Sequence, residues 1–109
     1  SKLGETHTSL GNLDKALSYY DDETRLFEEL YEAYPSNVSF KNGLAVSYLK
    51  LGGWHLQNSQ DFNKTKEYSL KSQQLFSELV AIAPQYAEFQ KNLSATKMVL
   101  QLLEMLPNS

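Results

Sequence analysis

Two histidines, a ladder of carboxylates and a supply of tyrosines are the side chains here with chemistry to offer. His7 and His55 are the candidate metal ligands or acid–base groups. No cysteine is present to join them, and neither sits in a His-x-x-x-His spacing that would bring two imidazoles to one helical turn. Glu28 and Glu32 have the look of a glycosidase carboxylate pair, but they fall on a charged helical stripe with no cleft implied. Serine and threonine are plentiful, yet none occupies a Gly-x-Ser-x-Gly elbow, and no glycine-rich loop exists to cradle a phosphate. The seven tyrosines lie mostly on helix faces that pack, which favours a core role over a stacking platform for bases. Asn-x-Ser/Thr triplets at Asn37, Asn63 and Asn92 are matches to a short motif and carry no weight. No catalytic residue, metal, cofactor or small-molecule substrate is expected.

The composition agrees. A chain of 109 residues and 12.4 kDa is one domain, large enough to bury roughly 60–70% of its unfolded surface. With 41% apolar and 21% charged residues it can build a core. No run approaches the ~18–20 apolar residues of a bilayer span, and the first residues lack the basic–apolar–small order of a signal peptide. Together with the absence of cysteine, this favours a cytoplasmic setting and no membrane partner. The net charge of −3 argues against nucleic acid, where Lys and Arg must replace phosphate counterions. The charge is uneven, −5 over residues 1–35 and +2 over residues 36–109. Such polarity can help units stack end to end, an effect that salt weakens.

The elements that must position these groups are helices. Leu13, Leu17, Tyr20, Thr24, Phe27, Tyr31 and Tyr34 recur at spacings of three and four, as one helical face requires. Asp14, Ser18, Asp21, Arg25, Glu28 and Glu32 form the opposite, solvated stripe. Pro35 ends that helix, because the residue before a proline is pushed out of the α region. Ser36 or Asn37 can cap the next, which runs to about Ser59. Asp61 caps another that runs to Ala83 and stops at Pro84. The last spans about Tyr86 to Leu106, closed by Pro107. A short helix precedes a turn at Gly11. The pattern therefore predicts an all-α chain of one short and four long helices, antiparallel through turns of two to four residues.

A repeat underlies this order. At a shift of 49, Leu26-Phe27-Glu28-Glu29-Leu30 falls on Leu75-Phe76-Ser77-Glu78-Leu79, and Lys15, Tyr19, Phe40 and Leu44 fall on Lys64, Tyr68, Phe89 and Leu93. At a shift of 48, Lys2-Leu3-Gly4 falls on Lys50-Leu51-Gly52, and His7 on His55. The slip of one residue lies near Gly11–Leu13, where a loop would absorb it. Close helix approach accounts for Gly4 and Gly52, and offsets the roughly 1 kcal/mol of helix propensity a glycine loses.

Tyr48-x-x-Leu51-Gly52-x-x-His55 resembles the first-helix signature of the tetratricopeptide repeat, Trp-x-x-Leu-Gly-x-x-Tyr. Ala16-x-x-x-Tyr20 followed by Pro35 resembles its second helix and closing proline. Leu3-Gly4-x-x-His7 repeats the first signature, and Pro84 the closing one. The unit of 48–49 residues exceeds the usual ~34, so the chain resembles a long-helix variant. It departs from the pattern at Thr65-x-x-x-Ser69 and at Lys97-x-x-Leu100-Gln101-x-x-Glu104. The resemblance implies about two repeats plus a terminal helix, stacked as a right-handed α-solenoid over residues 1–109. It places the two histidines where the family sets a large half-buried aromatic, so packing explains both. It implies a protein-binding scaffold whose first helices line a concave groove. Glu5 and Thr8 would come from the first copy, Val46, Leu49, Gly53 and Leu56 from the second, and Ala95, Met98, Leu102 and Met105 from the third. Relatives that clamp a C-terminal carboxylate use Lys and Asn there. Leu49 and Gly53 stand at two such places, so an apolar or helical segment suits this groove better.

The helix over 37–59 carries two apolar rows, Leu44, Tyr48, Leu51, His55 and Val46, Leu49, Gly53, Leu56, on opposite sides at ~100° per residue. One row packs within the unit. The other is either buried between helices or faces a ligand. The apolar last turn around Leu100–Leu106 lacks the polar face of a solenoid cap, so the chain is expected to be part of a longer array, with a homodimer through bare helical ends as one consequence. The expected function is protein–protein interaction, with an assembly or sensor segment of a larger signalling protein as the alternative.

Overall fold

A computed structural model describes residues 2–107, with side chains from Gly11 onward. Its elements are α1 (Lys2–Ala33), α2 (Val38–Trp54) continuing into one π-helical turn at His55–Ser59, α3 (Phe62–Ile82) and α4 (Ala87–Glu104). Each helix packs antiparallel on the next in the chain, giving an all-α domain of four helices.

The local punctuation acts as read. Helices α1 and α3 stop just before Pro35 and Pro84. The Asn37 side chain accepts from the Phe40 N–H at 2.9 Å, and that of Asp61 from the Lys64 N–H at 3.1 Å, each quenching an orphan donor of the first turn. Gln60, in the left-handed region at φ 55°, reverses the chain between the π turn and α3.

The N-terminal third differs from expectation. In place of a short helix, a turn at Gly11 and a second helix, α1 is continuous through Gly11. A lone glycine lowers helix propensity by about 1 kcal/mol, which the hydrogen-bonded turns on both sides outweigh; reversing a helix needs a proline or a positive φ, and Gly11 has neither. Lys2–Ala33 therefore form one helix while residues 51–83 fold back on themselves, so the two copies do not match as hairpins. Four helices stand where five were expected.

The core lies between α2 and α3, with Phe76 and Leu79 fully buried and Leu44, Ala45, Tyr48, Leu75 and Phe89 around them. Phe27 and Tyr31 of α1 and Leu93 of α4 pack against this cluster. Small residues set the α2–α3 approach. A Cβ on Gly52 would stand 3.1 Å from Ser69 Oγ and 3.5 Å from the Thr65 carbonyl, so the close-contact reading of Gly52 holds. Thr65 and Ser69, fully buried on α3, are the small partners that permit it. Gly43, not singled out in the sequence, does the same between α1 and α2, where a Cβ would run into the Phe27 ring. The hydroxyls buried by this packing are satisfied: Ser72 donates across to the Ala45 carbonyl at 2.9 Å, and Ser47 back to that of Gly43 at 2.8 Å.

Candidate functional site

The two rows on α2 separate cleanly. Leu44, Tyr48, Leu51 and His55 are buried, whereas Val46, Leu49, Gly53 and Leu56 are half-buried. Val46 and Leu49 lean on the core margin, while space around Gly53 is open. On α4, Ala95 is half-buried and Met98 and Leu102 are 62% and 47% exposed; Met105, the C-cap that follows, is 79% exposed. Three solvent-facing apolar side chains at i, i+4 and i+7, two on α4 and the third at its C-cap, make a stripe that water disfavours. The side chains of Leu3, Gly4, Glu5, His7 and Thr8 lie outside the described residues. Ala16 and Tyr20 are half-buried on α1, and Pro35 and Pro84 are exposed between helices.

His55 is a packed aromatic, buried between Trp54 and Tyr68. Its imidazole stacks on Tyr68 with centroids 6.1 Å apart and planes 12° apart, and meets Trp54 edge-on at 5.1 Å. Nδ1 lies 2.8 Å from Ser59 Oγ, a bond that holds the ring in the π turn. Burial, then the Lys64 charge, push its pKa below the ordinary imidazole value, against the pull of Asp61 and Asp21. Among the described residues no group of three His, Cys, Asp or Glu is arranged to hold a metal, and no helix is long and apolar enough to cross a membrane.

The charged stripe of α1 is not simply solvated. Helices α1 and α3 both lie on α2, and Asp21, Arg25, Glu28 and Glu32 of the stripe border open hollows between them. Tyr48 Oη donates to Glu28 Oε2 at 2.8 Å, and burial followed by that bond raises the Tyr48 pKa well above the phenol range. Tyr48 stacks on Tyr68 at 6.0 Å. The Tyr68 pKa is also raised, first by burial and then by the charges of Asp21, Glu67 and Glu28, which line the same hollow. The Glu28–Glu32 pair thus borders a cleft that sequence spacing did not imply.

Other groups went unnoticed in the sequence. Lys41 is buried, its Nζ 2.9 Å from Glu78 Oε1 and 5.8 Å from the Tyr31 centroid. It sits three residues before Leu44 on the buried row, so periodicity alone marks it as a lysine on an apolar face. Trp54 Nε1 donates to the Leu13 carbonyl at 3.1 Å and ties α1 to the end of α2. Between α3 and α4 a hollow of about 520 Å³ and mixed polarity is lined by Phe62, Leu70, Leu100 and Leu103 together with Asn63, Lys66 and Glu104. Compared with protein-family models, curated proteins and solved structures, the chain matches none.

Proposed function

We propose that this domain is a non-enzymatic protein-interaction module of tetratricopeptide character, holding a peptide or partner helix against the apolar stripe of α4 and the adjoining margin of α2. In this reading α2 and α3 are one helix pair of a right-handed solenoid, α4 opens the next, and the setting is the cytoplasm. The observation that carries it is the exposure of Met98, Leu102 and Met105 in one row, since apolar side chains so arranged gain by being covered. The close approach at Gly52 supports the family reading; the unbroken α1 is the feature that sits least well with it. The same stripe also favours the second reading, an assembly segment, in which a like helix covers it.

Met98→Glu together with Leu102→Glu is the informative variant, because both residues lie outside the buried core, 62% and 47% exposed. Peptides selected from a display library against the wild-type domain should lose at least tenfold in affinity for the variant, with the circular dichroism spectrum unchanged. Equal affinity for both proteins would remove the groove reading. A wild-type oligomer that becomes monomeric in the variant, by sedimentation equilibrium, would select the assembly reading.

A further inference from the structure

We propose that the furrow between α1 and α3 binds a basic segment of another protein, seating an arginine or lysine side chain among Asp21, Glu28 and Glu67 above the Tyr48–Tyr68 stack. This surface is independent of the apolar stripe: its floor is Leu44, Tyr48 and Leu51, on the opposite side of α2 from Val46, Leu49 and Leu56.

Shape is the first support. Two shallow, open hollows of about 310 and 330 Å³ share Glu28 and Lys71 in their linings and so lie side by side along α2. Charge is the second. Asp21, Glu28, Glu32 and Glu67 border them against Arg25 and Lys71 alone. Arg25 is turned to Asp22 at 2.7 Å, and Lys71 reaches Glu67 at 3.4 Å. Asp21 is half-buried, and its carboxylate has no hydrogen-bond or ion-pair partner among the described residues. A partly desolvated carboxylate without a cation gains from receiving one.

The third support is that the furrow already takes an ammonium group. Lys71 Nζ stands 5.4 Å from the Tyr48 ring centroid while paired to Glu67, so its aromatic floor and acidic wall accommodate a cation. A lysine that is about half exposed is a placeholder that a better-fitting guanidinium can displace. Arginine suits the place best, since its planar head stacks on a ring while its N–H groups reach carboxylates on both walls.

The probe is a fluorescein-labelled peptide of alternating alanine and arginine, titrated by anisotropy at 50 mM salt and followed by the ring signals of Tyr48 and Tyr68 in NMR spectra. Asp21→Asn and Glu67→Gln should each weaken binding about fivefold, while Glu29→Gln, which removes the same charge from the exposed side of α1, should change it less than about twofold. Lys71→Met should tighten binding by clearing the placeholder. Met98→Glu with Leu102→Glu should leave it unchanged, which separates this proposal from the α4 groove. Equal weakening by Asp21→Asn and Glu29→Gln would overturn the proposal, because it would mean diffuse attraction to an acidic helix. So would undetectable binding, or tyrosine signals that do not move.

Discussion

His55 carries a pH dependence whose sign follows from its surroundings. Buried against Tyr68 and Trp54 and beside Lys64, it stays neutral in the folded chain to lower pH than in the unfolded one, Asp61 and Asp21 offsetting only part of this. The unfolded state then binds more protons, so the stabilising contribution is complete above about pH 6.5 and is lost progressively as pH falls below it. Urea midpoints measured from pH 7.5 to 5.5 should fall for the wild type and fall less for His55→Phe, which keeps a stacked ring without the titration. An identical slope in the two proteins would show that His55 charges as freely folded as unfolded. Lys41 is the residue-scale counterpart, a buried cation held by one carboxylate. Its place on the buried row was open to sequence reading, but its partner was not, because Glu78 lies 37 residues further along the chain.

Among the elements, α1 departs furthest from its sequence pattern. The Leu3-Gly4-x-x-His7 motif and Gly11 read as a helix and a turn, yet the chain runs straight from Lys2 to Ala33. The capping residues Asn37 and Asp61 and the stops at Pro35 and Pro84 were legible because their physics is local, a hydrogen bond or a steric clash within four residues. A turn at glycine has no such local compulsion. With nothing within 4 Å of a Cβ built on Gly11, Gly11→Ala should stabilise the protein by about 0.5–1 kcal/mol in urea titrations. A loss of similar size would mean that residue 11 adopts a turn conformation in solution.

The whole molecule shares one apolar cluster, since side chains of all four helices meet at Leu44, Tyr48, Phe76 and Phe89. Cooperative unfolding is the expectation. Trp54, the single tryptophan, reports the α1–α2 junction through its bond to Leu13, whereas far-ultraviolet dichroism reports every helix. The two urea transitions should coincide, and Phe76→Ala should move both by about 3–5 kcal/mol. Separate midpoints would show α1 undocking on its own. At this scale the furrow also comes into being. Its α1 wall looked like a solvated stripe, and only the seating of α1 and α3 on one helix turns Asp21 and Glu28 toward Tyr68. The sequence by itself determined the all-helical class, four of the helix boundaries and the two rows on α2, because each rests on periodicity or on sterics within a few residues; it marked Gly52 as a point of close approach without showing that Thr65 and Ser69 are its partners. The tertiary structure alone decided that α1 is unbroken, that the second row of α2 is half-covered and that an acidic cleft exists. Those outcomes depend on how helices far apart in the chain share a core, and no spacing along the chain encodes that.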